Sequence, residues 1–318
     1  MAGRLIDVAL VGAGPMAAQH ARVLHEVEGL RLVSCASRTR ERAQAFAHAA
    51  GIPTARTFDE VLASPQADAL WLCVSADAMA TVATACAARG LPMFLEKPVG
   101  LDPAETGRVR DAIRVPHMVG LNRRFYEVIR RGRDLMIEQG GVRAIEVHMP
   151  ENMRRAPDKH AARTLRRWQF ANSVHLIDLF RYFAGEPAGI TASNVVRSDS
   201  DRSYNALVRF ESEAHGIFHS QWYAPGAWRV AVYAEGIAIV YQPIERAQIL
   251  RGDGSAEALM PTGPDTRYKA GLHGQASAFV RLLRDGRPPP GAVDLADYAR
   301  SVSLVDLLTA NHNASNPG

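Results

Sequence analysis

The strongest constraint on the fold is an apolar run that stops on a glycine turn. Residues 5–11, Leu-Ile-Asp-Val-Ala-Leu-Val, are nearly continuous in apolar character and lead straight into Gly12-Ala13-Gly14-Pro15-Met16-Ala17. Such a run is the pattern of a parallel strand buried on both faces. Residues 17–27 hold good helix formers, and Pro15 suits a first helical turn, where its missing N–H loses no bond. Strand, glycine turn and helix together are the context of a G-x-G-x-x-(G/A) fingerprint. There Gly12 permits the tight turn, Gly14 lets a pyrophosphate approach the backbone, and Ala17 allows close packing of helix on strand. The helix N-terminus, opened by Pro15 and Met16, offers its free N–H groups to the phosphates. A glycine-rich turn with no ligand is the bland alternative, and the flanking strand and helix favour a dinucleotide.

The rhythm continues. A strand over 30–36, a helix over 40–50, strands over 70–74 and 93–95 and a helix over 78–89 predict a doubly wound parallel sheet of Rossmann type. In such a sheet the end of the second strand meets the adenosine ribose, where an acid would bind the 2′-hydroxyl of NAD. This chain has Ser37-Arg38 there. With no acid to repel a 2′-phosphate and a guanidinium and hydroxyl to hold it, NADP(H) is expected over NAD(H). The competing reading of Arg38 is an ordinary solvated arginine.

Arginine is common in this chain, since only Lys97, Lys159 and Lys269 among 37 basic residues are lysines. Arginine keeps its proton, whereas lysine can release one when its pKa is lowered. Lys97 follows the 93–95 strand in Phe94-Leu95-Glu96-Lys97-Pro98, at the carboxyl edge where open α/β sheets bind ligands. Beside a nicotinamide it would pass a proton to or from a substrate oxygen as hydride moves. A loop ion pair of Glu96 with Lys97 is the structural alternative.

The chain has 318 residues, enough for about two domains. Its 47% hydrophobic and 22% charged residues fit a folded globular protein and exclude collagen and wholesale disorder. Cys35, Cys73 and Cys86 sit in apolar stretches without metal-ligand spacing, so neither a disulfide framework nor a metal site is expected. No apolar stretch approaches the ~20 residues of a membrane crossing, and no export signal is visible, so a cytoplasmic protein is expected.

After residue 121 the pattern changes to strand-like runs over 144–149, 205–210, 216–222, 229–234 and 237–241. These predict a second α/β domain, 122–318, with a large open mixed or antiparallel sheet, following a nucleotide-binding domain, 1–121. Helices are expected over 168–184, 276–283 and 295–308. His175 and Asp178 are three apart and share a helical face. Arg154, Arg155, Lys159, Arg163, Arg166 and Arg167 crowd one stretch against a single acid, Asp158. A solvated basic loop is the default, and a site for a phosphate or carboxylate of a substrate is the sharper reading. Trp222, Tyr223 and Trp228 could stack on a sugar or pack a core. No nucleic-acid module or repeated aromatic platform is present, so nucleic acid is not an expected partner.

Gly12 to Ala17 with His20, then Glu96-Lys97-Pro98, Asn122-Arg123-Arg124-Phe125 and His175-Leu176-Ile177-Asp178, together resemble the glucose-fructose oxidoreductase, inositol dehydrogenase and MocA group, the Gfo/Idh/MocA family. The resemblance spans nearly the whole chain, and Glu-Lys-Pro is its most specific mark. It implies NAD(P)-dependent redox chemistry on sugars, cyclitols or related small molecules, with Lys97 handling the proton and His175 also catalytic. It also implies homodimers or homotetramers formed through the open sheet. Ser75, Glu96 and Lys97 join the glycine turn, Ser37 and Arg38 as cofactor contacts; Asn172, Arg124, Arg166 and Lys159 are the expected substrate contacts. Two departures stand out. The family commonly has Asp four residues before this His, where this chain has Ala171, so Asn172, Ser173 or another segment must take over. After the fourth strand, where the family often has Pro and then His, this chain has Ser75 and Met79. The expected activity is exchange of a secondary alcohol and a ketone on a carbohydrate-like substrate. An imine reductase and a non-catalytic dinucleotide sensor are the rivals.

Overall fold

The computed structural model describes residues 4–153 and 160–310. In chain order the elements are β1 (Ile6–Val11), α1 (Pro15–Leu24), β2 (Leu30–Ser37), α2 (Arg40–Ala50), β3 (Thr54–Thr57), α3 (Phe58–Ala63), β4 (Ala69–Leu72), α4 (Ala76–Ala87), β5 (Met93–Leu95), α5 (Pro103–Ala112) and β6 (His117–Val119). They continue with α6 (Glu127–Glu138), β7 (Ala144–His148), α7 (Ala162–Arg166), a π-helical turn (Gln169–Ser173) and α8 (Val174–Ala184). Then come β8 (Pro187–Val196), β9 (Arg202–Phe210), β10 (His215–Gln221), β11 (Arg229–Ala234), β12 (Ile237–Tyr241), β13 (Ala247–Arg251), β14 (Ala256–Leu259), α9 (Leu272–Asp285) and α10 (Leu295–Thr309). No helix among the described residues is long and apolar enough to cross a membrane.

Two compact units result, one of Met1–Phe125 with Gly263–Ala299 and one of Tyr126–Thr262 with Arg300–Gly318. The first holds a six-stranded parallel sheet in the order β3-β2-β1-β4-β5-β6. Its central strands are buried as their apolar runs require, with β4 inaccessible along its whole length. Trp71 and Phe94 stack at 3.7 Å between ring centres, and Phe279 of α9 meets both edge-on. The backbone ties the returning segment to this sheet as well: Val119 N–H donates to the Val293 carbonyl (2.7 Å), and Leu295 N–H to His117 Nε2 (3.0 Å). Local periodicity cannot announce such a return, so the sequence expectation of one cut at 121/122 becomes a discontinuous unit that takes back 263–299.

The second unit is built on an eight-stranded mixed sheet, β14-β13-β12-β11-β7-β10-β9-β8, in which β7 and β10 are parallel and the other pairs antiparallel. Strand alternation sorts its faces. On β9 the side chains of Tyr204, Ala206, Val208 and Phe210 are buried, while Leu207, with Ile217 of β10, lies on the other face at 61% and 51% exposure. The helical side is close-packed: a Cβ at Gly216 would lie 2.8 Å from the Phe180 ring, so glycine is what lets α8 settle on the sheet. Asn194 Nδ2 donates to the Leu308 and Ala310 carbonyls, fixing the end of α10.

Candidate active site

In the first unit every predicted cofactor contact lies at the carboxyl end of a sheet strand or just beyond it. Gly12 has φ +128°, and a Cβ there would fall on the Cys73 carbonyl oxygen, so this position tolerates only glycine. Gly12 N–H donates to the Ala36 carbonyl (2.8 Å), locking the turn to β2. Gly14 differs. It is the N-cap of α1 in extended backbone, with nothing within 4 Å of a built Cβ and no side chain capping the helix. The first N–H groups of α1 therefore have no side-chain cap, and the approach at Gly14 is unobstructed, which fits the diphosphate of a dinucleotide. Pro15 stands at the first helical position, Met16 is half-buried, and Ala17 is fully buried where helix meets strand. Lys269 Nζ lies 3.3 Å from Met16 Sδ, a cation near the turn that the sequence reading left without a role.

Ser37 ends β2 half-buried, and Arg38 follows it, exposed and with no hydrogen bond or ion pair to any described residue. Arg40 is answered by Glu60, whereas Arg42 Nη2 reaches the Ala13 carbonyl at 3.4 Å. Ser75 is the N-cap of α4, just past β4, and its hydroxyl makes no capping bond.

Glu96 and Lys97 leave β5 side by side and meet different surroundings. Glu96 is buried and accepts from His20 Nε2 of α1 at 3.1 Å; Gly120 leaves it room, since a Cβ there would come within 2.7 Å of its Oε2. His20 in turn sits against Trp71 and Phe94. Glu96 is thus an internal anchor between strand and helix, its carboxylate turned to His20. Lys97 is half-buried at the carboxyl edge and precedes a cis peptide to Pro98. Beyond it, Val99 N–H donates to the Tyr298 hydroxyl (3.3 Å), and Thr106 Oγ donates to the Val99 carbonyl (2.9 Å), holding the Lys97 loop at two points.

In the second unit His175 lies in the first turn of α8, 5% exposed. The helix expected over 168–184 opens instead with the π turn, where Phe170 is fully buried and Asn172 is half-exposed, and Val174, which begins α8, is fully buried. Asn172 Nδ2 donates to both oxygens of Glu151 (2.9 and 3.2 Å), and Ser173 Oγ to one of them (3.4 Å). Sequence reading passed over Glu151. Its signal was an acid three residues past β7 and just ahead of the basic run. Asp178 is a core group: Ser301 Oγ donates to it at 2.5 Å and itself accepts from Arg181 Nη1 at 2.7 Å.

The basic run is only partly in view. Arg154, Arg155, Asp158 and Lys159 lie outside the described residues, while Arg163, Arg166 and Arg167 are exposed on and just after α7. Arg124 belongs to the first unit, buried and ion-paired with Asp297 at 2.9 Å, so its charge is already balanced within the protein. The aromatic trio does not form one wall: Trp222 is buried against Tyr204, Trp228 Nε1 donates to the Pro150 carbonyl, and Tyr223 is half-exposed. All three cysteines are free and buried, and burial pushes the Cys35 thiol up to about 11 and that of Cys86 up to about 12. Neither offers a thiolate at neutral pH.

Known proteins match this architecture along the chain. Residues 6–119 match the family described as "Oxidoreductase family, NAD-binding Rossmann fold", and residues 138–240 match the "GFO/IDH/MocA C-terminal domain". The chain is 28% identical to an inositol 2-dehydrogenase of Rhizobium meliloti, over 96% of its own length and 98% of the relative's. A dehydrogenase of Chromobacterium violaceum shares the fold with a TM-score of 0.84 at 21% identity, covering 96% of this chain and 94% of that one. A levoglucosan dehydrogenase in complex with NADH shares it with a TM-score of 0.80 at 17% identity, covering 96% of each chain. A glycine cradle on a parallel sheet, a Glu-Lys-Pro loop at its carboxyl edge and a second unit matched to its own domain description agree on one assignment: this chain is a dehydrogenase of the Gfo/Idh/MocA oxidoreductase family with an NAD(P)-binding Rossmann domain.

Proposed function

We propose that the protein is an NADP(H)-dependent dehydrogenase that interconverts a secondary alcohol and a ketone on a sugar, nucleotide-sugar or cyclitol-like substrate. One observation carries the reading: the open helix N-terminus at Gly14 and the half-buried Lys97 share the carboxyl edge of one parallel sheet. A base placed there can take the hydroxyl proton of an alcohol, and a nicotinamide dinucleotide, when bound, accepts or supplies the hydride. The substrate class is supported by relatives named for inositol and by a structural neighbour named for levoglucosan. Lys97 exchanges the hydroxyl proton, His175 hydrogen-bonds the substrate oxygen, and Asn172 orients the polyol. Arg166 and Lys159 remain the candidates for a substrate anion, and Arg124, paired with Asp297, is the weakest of the expected contacts.

NADP(H) is favoured because Ser37 and the unengaged Arg38 stand where an acid would read the 2′-hydroxyl. Leu207 and Ile217, exposed on the uncovered face of the second sheet, support a homodimer or homotetramer formed there. The test is a substrate panel of inositols, anhydrosugars, aldoses and nucleotide sugars with NADP+ and NAD+, run beside ketose and cyclic imine reduction. Turnover of a polyol, faster with NADP+, is the expected result. Binding of either dinucleotide with no turnover on the whole panel contradicts the catalytic reading.

A further inference from the structure

Glu151 is 6% exposed, and the sheet holds it rigidly. Met149 N–H donates to the His219 carbonyl (2.9 Å) and Glu151 N–H to the Gln221 carbonyl (2.8 Å), so the β7–β10 ladder runs on past His148. Ser220 Oγ donates to the Met149 carbonyl (2.7 Å) and Trp228 Nε1 to the Pro150 carbonyl (3.1 Å), closing the other side of this segment. The carboxylate is thereby delivered to the π turn ahead of His175, where Asn172 and Ser173 donate to it. Burying a carboxylate is costly unless hydrogen bonds replace water, and this turn supplies them from a half-exposed amide and a buried hydroxyl.

The chemistry of the pair fixes more than stability. An ionised carboxylate only accepts hydrogen bonds, so the Asn172 NH2 group has to face Glu151. The amide oxygen then points the other way, as an acceptor for a hydroxyl group. An amide oxygen, the negative end of the amide dipole, favours a neutral hydroxyl over an anionic substituent at this place. Position 171 is Ala, and the carboxylate bonded to this turn comes from the segment that follows β7.

We propose that Glu151 is a positioning residue for substrate specificity, acting through Asn172 to present an amide oxygen to a substrate hydroxyl. This rests on the polyol dehydrogenase reading above. The test is a double-mutant cycle of Glu151→Gln, Asn172→Ala and the double variant, with kcat, KM and NADPH affinity measured on the polyol the wild type oxidises fastest. Glu151→Gln, which can present either end of an amide to Asn172, is expected to raise KM for the polyol about tenfold with little change in NADPH affinity, a loss equal to one good hydrogen bond. Asn172→Ala is expected to do the same, and the double variant to be no worse than Asn172→Ala alone. Where Glu151→Gln fails to fold, Glu151→Asp keeps the charge and shortens its reach, and a raised KM with intact NADPH binding is again expected. A folded Glu151 variant with wild-type KM, or strictly additive losses in the cycle, overturns the inference alone. A wild type that binds NADPH and oxidises no polyol overturns the function proposed above and this inference with it.

Discussion

The two units handle polar groups by opposite means. In the first, the site is made by taking side chains away: Gly12 fills a turn that no other residue can enter, and Gly14 leaves the helix N-terminus bare. In the second, a charged side chain is buried and then satisfied, with Glu151 held by Asn172 and Ser173. On the proposed function, the difference follows from what each site would bind. A diphosphate is recognised by backbone N–H groups and needs access more than chemistry. A polyol presents hydroxyl groups that both donate and accept, and telling one from another takes acceptors and donors of fixed orientation.

The sharpest way to break this contrast is Lys97→Ala. It is expected to lower turnover by about 10²- to 10⁴-fold, the range of general acid–base catalysis, while leaving NADPH affinity nearly intact. Steady-state kinetics beside a dinucleotide titration would read both, and near wild-type turnover would refute the role given to the lysine. A matched pair of substitutions sharpens the account of the glycine turn. Gly12→Ala is expected to cost about 1–3 kcal/mol of stability, from a positive φ and a collision with the Cys73 carbonyl. Gly14→Ala should leave the melting temperature almost unchanged and weaken NADPH binding, because its Cβ meets nothing in the protein. Equal thermal losses at the two positions would contradict the division of labour.

His20→Leu removes the partner of the buried Glu96 carboxylate and is expected to cost about 1–3 kcal/mol, read by denaturant unfolding. The smallest effect belongs to the second sheet. His219 stacks on His148 at 5.1 Å, and burial, with the neighbouring His148, lowers its pKa below 6.5. The unfolded chain then binds the proton more readily than the folded one, so the contribution is complete above pH 6.5 and declines as pH falls from 6.5 toward the lowered value. Melting curves across that window should show a shallower decline for His219→Gln. An unchanged slope would remove His219 from the account.

The first unit is also where sequence reading went furthest, for a physical reason. Parallel strands buried on both faces have continuous apolar runs, so β1, β2, β4 and β5 were visible, and the expected cofactor contacts follow them within a few positions. β3 has only four residues and no buried one, and it gave no signal. β8 contains Pro187 and Gly189 and one buried residue, Asn194, so its apolar pattern is absent although it pairs along β9. The return of 263–299 rests on contacts such as Phe279 with Trp71, which no local period encodes. The Glu151–Asn172 pair was illegible in the same way, because it joins a strand end to a turn across the basic run. His20 was quoted within the fingerprint, but its partner Glu96 emerged only once α1 and β5 were placed together.

The proposed function depends first on whether the first unit holds a dinucleotide with a 2′-phosphate preference. Its most direct test is a fluorescence titration of NADPH and NADH into the wild type and Arg38→Ala. Tighter binding of NADPH by the wild type is expected, with the preference lost in Arg38→Ala, a change of about tenfold or more for one charge-assisted contact. Wild-type protein that binds neither dinucleotide would contradict it.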